Sequence, residues 1–342
     1  MRNIICFDLE GPLSPQDNAY EVMGLIENGH KIFEVISRYD DLLTIGGREG
    51  YEPGDTLALI APFLVAHKIS ESDIKLVSNQ AALVNGTKEI IKMLKEKGWK
   101  VYIISSSYEQ HAHNIAEKLE VDLESVYCTD FPLDKYRKEF STPDFKLIFE
   151  AEKDILKLYP PDKHLEKDTE IRSRLDFFFW NDLQVTKLGK IMQNMSVTGG
   201  KRKVDALNKI AKKHTTKLNE FIVVGDSITD YKMLQVVNEA GGLAVAFNAN
   251  EFALPHATIG LAATSMLNLM MIIDNWAQYG REAVLDAVDA QEDLDIVYEK
   301  VTKVPPKEAY FQNLTNKDNI DNILKIHQIL RKAVRGQAAN LG

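Results

Sequence analysis

The sequence predicts an α/β protein: a parallel sheet sandwiched by helices, with a long helical insertion and extra helices at the C-terminal end. Short apolar runs at 3–7, 100–104, 221–224 and 243–247 are each followed by a polar turn and then by helical periodicity, the alternation of a parallel sheet covered by helices. At 342 residues, 45% hydrophobic and 27% charged, the chain is also long enough to bury a large core and hold more than one domain.

The first strand, 3–7, opens the chain. Residues 15–79 carry helical patterns broken by Ile45-Gly46-Gly47-Arg48-Glu49-Gly50 and by Glu52-Pro53-Gly54-Asp55, too long a stretch for a simple crossover, and read as an inserted domain. A helix then presents Ile90, Ile91 and Leu94 on one face, carries Lys95 and Lys97 in its last turn and stops at Gly98. Strand 100–104 follows, and Ala112, Ile115, Ala116 and Leu119 repeat at helical spacing, completing a βαβ outline. A second interruption, 133–197, is charged around 152–170 and contains Pro160-Pro161. The strand-bearing stretches flank these interruptions. The remainder, 266–342, is expected to be a helical extension in which Ile323, Ile326, Leu330 and Val334 share a face beside Arg331, Lys332 and Arg335, a surface open to a protein partner.

Net charge of -9 and a pI near 5.5 argue against a protein that wraps nucleic acid. Cys6 and Cys128 give no disulfide framework and fit a reducing cytoplasm. The apolar start ends at Asp8, and the stretch 266–273 is interrupted by Asn268 and closed by Asp274, so neither export nor a membrane span is expected.

In a parallel sheet the crevice lies beyond the carboxyl ends of the strands, which here deliver Asp8-Leu9-Glu10-Gly11, Ser105-Ser106-Ser107 and Gly225-Asp226-Ser227-Ile228-Thr229-Asp230. Asp8 and Glu10 point the same way in extended backbone, which suits one carboxylate attacking and the other moving a proton. Read alone, the pair is equally an ordinary strand exit. Ser105 can donate to an anionic oxygen, with a helix N-terminus opening behind it, or can simply cap that helix. Asp226 and Asp230 can converge on a cation such as Mg²⁺, or can serve a helix start. Gly199-Gly200-Lys201-Arg202-Lys203 opens another helix and is not a P-loop, because Met195 stands where that motif requires glycine. His111 and His113, two apart on a helix, face different directions and read as surface residues rather than metal ligands.

Together these stations resemble the haloacid dehalogenase-like phosphatase superfamily, with phosphoserine phosphatase-like members the most similar. The Asp-x-Asp-Gly-Thr motif corresponds to Asp8 through Pro12, the strand-ending serine to Ser105, the lysine to Lys203, and Gly-Asp-x-x-x-Asp to Gly225 through Asp230. Glu10 and Pro12 replace the usual Asp and Thr, and the enolase-phosphatase branch is similar in having Glu at the first of these. The length of the chain resembles an archaeal branch named after an energy-converting hydrogenase subunit. The resemblance to a known catalytic core covers 1–14, 80–132 and 198–265. It implies a Rossmann-like core, a mobile helical cap at 15–79, and Mg²⁺ bound by Asp8, the Glu10 main-chain carbonyl and Asp226, with Asp230 orienting the metal shell. It further implies a phospho-aspartyl intermediate on Asp8, acid/base work by Glu10, phosphate contacts from Ser105, Ser106 and Lys203, and a small phosphorylated metabolite as substrate. Tyr20, Glu21 and Arg48 are candidate substrate contacts in the cap. The competing expectation is a catalytically weak module that binds a phosphorylated ligand or a protein partner.

Overall fold

The computed structural model describes residues 3–140, 145–161, 164–291, 309–316 and 319–341, so parts of the charged insertion and of the C-terminal extension lie outside the described residues. The strands are β1 Ile4–Phe7, β2 Lys100–Tyr108, β3 Val126–Thr129, β4 Phe221–Gly225, β5 Leu243–Phe247, β6 Ile259–Ala263 and β7 Ala309–Asn313. They form one sheet in the order β3-β2-β1-β4-β5-β6-β7, parallel except for β7, which runs antiparallel to β6. Every residue of β1, β4, β5 and β6 is buried, as expected of parallel strands covered on both faces.

Helices α1 Asn18–Met23, α2 Gly29–Ile45, α3 Thr56–Ala66 and α4 Glu71–Gln80 fill the first insertion. Two more, α5 Thr87–Glu96 and α6 Glu109–Lys118, flank β2. The second insertion holds α7 Leu133–Glu139, α8 Lys146–Lys157, α9 Leu165–Phe177 and α10 Lys187–Asn194. The chain continues through α11 Lys201–His214, α12 Tyr231–Glu239, α13 Leu269–Tyr279 and α14 Arg281–Asp289, and ends in α15 Ile320–Arg335.

Alternation along β1 and β2 divides the core. Ile5, Phe7, Val101 and Ile103 face α5, α6, α13 and α14, whereas Ile4, Cys6, Tyr102 and Ile104 face α11 and α12. The two insertions, separate in sequence, share one hydrophobic core: Phe33 and Tyr39 of α2 pack with Ile148 and Ile155 of α8 and with Phe178 and Phe179. Helix α3 is buried along its whole length, the pattern of a central helix, so its apolar sequence serves the middle of this body.

Two expectations change. Strand β2 runs past residue 104 to Tyr108, so α6 starts at Glu109 and the helix N-terminus is not directly behind Ser105. The extension is not purely helical, since Ala309–Asn313 adds an antiparallel edge strand. No helix among the described residues is long and apolar enough to cross a membrane.

Candidate active site

Phe7 pairs with Ile103 on one side and Val224 on the other, so β2 and β4 run alongside β1 up to Asp8, whose N–H donates to the Val224 carbonyl at 2.8 Å. Lys203 reaches this point from α11, where it shares the buried face with Ala206, Leu207 and Ile210. Its Nζ donates to Asp8 Oδ1 at 2.6 Å and to Asp230 Oδ1 at 2.7 Å, with no part of the lysine side chain exposed. Asp230 Oδ2 accepts the N–H groups of Asp226 at 2.9 Å and Ser227 at 3.1 Å, which fixes the loop after β4. Gly11, at φ 110, leaves room for Asp226: a Cβ there would lie 2.4 Å from the Asp226 carboxyl carbon.

Burial, then repulsion from Asp230, pushes the Asp8 pKa up to about 8 against the pull of Lys203. Burial disfavours the Lys203 ammonium, but Asp230 and Asp8 outweigh it and hold the pKa above its ordinary value. Glu10 is also raised to about 8, by burial first and by Asp17 second, although its Oε1 accepts the Asn18 N–H at 2.7 Å. In Glu10, which has no ammonium bonded to it as Asp8 has in Lys203, a raised pKa favours the protonated form that a general acid needs.

Asp8, Asp226 and Asp230 each place a carboxylate oxygen within 4.8 Å of the others. Asp226 Oδ1 is buried with no hydrogen-bond partner, and Asp8 Oδ2 accepts none among the described residues. Two spare carboxylate oxygens in a buried acidic cluster suit a hard divalent cation. Both oxygens of Asp230 are engaged, so its part is to hold the loop and Lys203 in place.

A cavity of about 60 Å³ opens on Asp8, Glu10, Asp17, Ser106 and Thr229, roofed by Ser37, Asp40 and Thr56. Ser106 lines it, while Ser105 is fully buried, its hydroxyl donating to Ser107 Oγ at 2.9 Å and accepting the Ser107 N–H at 3.1 Å. The three candidate cap contacts lie elsewhere. Arg48 stacks on Trp180 at 4.0 Å and lines a separate cavity of about 330 Å³. Tyr20 stacks on His30 at 4.2 Å, and Glu21 is exposed. Their loop and helix-start positions said nothing about which side of the inserted body would face Asp8.

Sequence reasoning also missed groups that the fold brings to the site. His111 is fully buried, not a surface residue: Nδ1 lies 2.8 Å from Ser78 Oγ and Nε2 lies 3.7 Å from Glu10 Oε1. Arg331 and Arg335 both donate through Nη1 to Asp226 Oδ2, the latter at 2.8 Å. The available signal was their placement, since His327, Arg331 and Arg335 repeat every fourth residue alongside the apolar face of α15.

Residues 124–262 match the family model of haloacid dehalogenase-like hydrolases, a span that contains Lys203, Asp226 and Asp230 but not Asp8. No curated protein matches the chain. Among solved structures, gene product AF1437 from Archaeoglobus fulgidus is similar over 99% of this chain and 99% of its own, at 25% identity and a TM-score of 0.80. A phospho-aspartyl intermediate analogue of phosphoserine phosphatase is similar in fold, at 17% identity over 78% of this chain and 97% of its own, with a TM-score of 0.50. In its motifs, in its sheet and over residues 124–262, the chain is similar to haloacid dehalogenase-like hydrolases.

Proposed function

We propose that the protein is a Mg²⁺-dependent phosphomonoester hydrolase that acts through a phospho-aspartyl intermediate on a small phosphorylated metabolite. The observation that carries this reading is Lys203, buried and bridging Asp8 and Asp230 beside the spare Asp226 Oδ1. Asp8 and Asp226, with the Glu10 main-chain carbonyl, would hold Mg²⁺, which would supply charge neutralisation at the phosphoryl oxygens. Asp8 attacks phosphorus, the bond to the leaving oxygen breaks, and Glu10 gives that oxygen its proton. The Glu10 carboxylate then takes a proton from water as the water oxygen attacks phosphorus, releasing inorganic phosphate and restoring Asp8. Lys203 and Ser106 balance and orient the transferring group, so most of the rate enhancement is positioning and charge. Two free thiols are consistent with a reducing cytoplasm.

Asp8→Asn is expected to abolish Mg²⁺-dependent hydrolysis across a panel of phosphorylated metabolites, and chelation of Mg²⁺ is expected to silence the wild type. Substantial turnover by purified, folded Asp8→Asn protein would sink the covalent route.

A further inference from the structure

The two arginines of α15 that meet at Asp226 are used differently. Arg331 commits all three nitrogens: Nε donates to the Ala339 carbonyl at 3.0 Å, Nη2 to the Leu341 carbonyl at 3.1 Å, and Nη1 to Asp226 and to the Asn248 carbonyl at 3.3 Å. Arg335 commits two, Nε to the Pro15 carbonyl at 3.1 Å and Nη1 to Asp226 Oδ2 at 2.8 Å, while Nη2 makes no hydrogen bond among the described residues. Its side chain is only 5% exposed, and it lines the cavity that opens on Asp8 and Glu10. The other charged side chains lining that cavity are Asp8, Glu10, Asp17 and Asp40, so Arg335 is its one cation among the described residues. Lys203 lies buried behind, occupied by two carboxylates.

An anion entering a carboxylate-lined cavity needs a cation at the wall. A guanidinium already anchored at two nitrogens loses little freedom when the third binds. We infer that Arg335 is a substrate-binding residue, contributed by the C-terminal helix, whose Nη2 takes an anionic oxygen of the phosphorylated substrate. The inference rests on the phosphatase reading above, and it gives the substrate an anchor drawn from outside both the cap and the sheet.

The test is calorimetric titration of inorganic phosphate into the Mg²⁺-saturated full chain, comparing wild type with Arg335→Gln and Arg335→Lys. It is paired with kinetics on two phosphomonoesters, one of which carries a carboxylate on its leaving group. Arg335→Gln is expected to weaken phosphate binding and raise both KM values by about tenfold, with kcat less affected, Mg²⁺ affinity within about twofold of wild type, and partial recovery in Arg335→Lys. A rise in KM confined to the carboxylate-bearing ester, with phosphate binding intact, also supports Arg335 and places its anion on the leaving group. The inference is overturned if a folded Arg335→Gln protein binds phosphate and both esters as the wild type does, or if the wild type binds no phosphate. Should Arg335→Gln fail to fold, Arg335→Lys decides on the same readouts, because it keeps the charge and loses the fork. Arg335-dependent phosphate binding without hydrolysis of any ester would overturn the proposed activity and leave the binding role of Arg335 standing.

Discussion

Without its ammonium, Lys203 would leave Asp8 and Asp230 facing one another in a site where neither side chain is more than 5% exposed. Removing one partner of a buried charge network costs about 3–5 kcal/mol, because the remaining charges stay uncompensated. Lys203→Met is therefore expected to lose that order of stability at pH 8 and about 10²-fold in turnover. The deficit should shrink towards pH 5: the raised pKa of Asp8 means that the folded variant takes up a proton there which relieves the repulsion, whereas the unfolded chain keeps its ordinary value. Urea unfolding at the two pH values checks this, and a variant as stable as wild type at pH 8 would contradict it. Asp8, Asp226 and Asp230 were legible in the sequence because strand ends deliver them directly after apolar runs, whereas Lys203 was singled out from Lys201 and Arg202 only by the family resemblance. His111 was not, since its spacing from His113 separates their directions without saying which one is inward. Arg331 and Arg335 were not, because a charged residue near an apolar stripe reads as solvent-facing until the carboxylate it meets is known.

At the scale of elements, α15 is fastened to the sheet by His327, fully buried, whose Nδ1 accepts the Ala249 N–H at 2.9 Å and whose Nε2 lies 3.1 Å from Gln312 Oε1. Accepting at Nδ1 puts the proton on Nε2, so the ring is held neutral and donates to the β7 glutamine. Burial, then Arg331, depresses its pKa to about 3. In the unfolded chain the ring titrates near its ordinary value of about 6.5, so as pH falls below that the unfolded state gains a proton the folded state refuses. The stabilising contribution is full above about 6.5 and is lost on the way down to about 3, amounting to about 1.4 kcal/mol by pH 5.5. His327→Asn, whose Oδ1 can still accept from Ala249, should be less stable than wild type at pH 7.5, and the gap should close by about 1.4 kcal/mol at pH 5.5. Parallel unfolding curves at the two values would count against it. Strands β1, β4 and β5 were readable as unbroken apolar runs. Strand β7 was not, because only Tyr310 and Gln312 of Ala309–Asn313 are buried, an alternation too short to stand out, and the serines that prolong β2 satisfy one another instead of forming an apolar run.

For the whole molecule the question is how the helical body is seated over the sheet, since the cavity of about 60 Å³ between them opens on Asp8. The resemblance implies that this body is a mobile cap, whose closure on substrate would exclude water. The loop before α3 ties it to the core. Glu52 Oε2 accepts the Lys201 N–H at 2.8 Å and Lys232 Nζ at 2.7 Å, and Asp55 Oδ1 accepts from Arg202 Nη1 at 2.6 Å. The seat of that loop is Gly199, where a Cβ would fall 2.0 Å from the Pro53 carbonyl oxygen, a backbone atom with no flexible side chain to swing aside. Gly199→Ala must therefore push the loop off the head of α11 while leaving Lys203, the third residue of that helix and on its buried face, free to keep its bonds to Asp8 and Asp230. The expected result is a fall in kcat of about tenfold or more, from misplacement of groups that closure should align. Mg²⁺ affinity, measured by titration, should stay near wild type, and limited proteolysis should cut faster at the exposed loop. Wild-type turnover in Gly199→Ala would show that the Glu52–Asp55 seat is not the closing contact, and a matching loss of Mg²⁺ affinity would show that the change had spread into the Asp8 cluster.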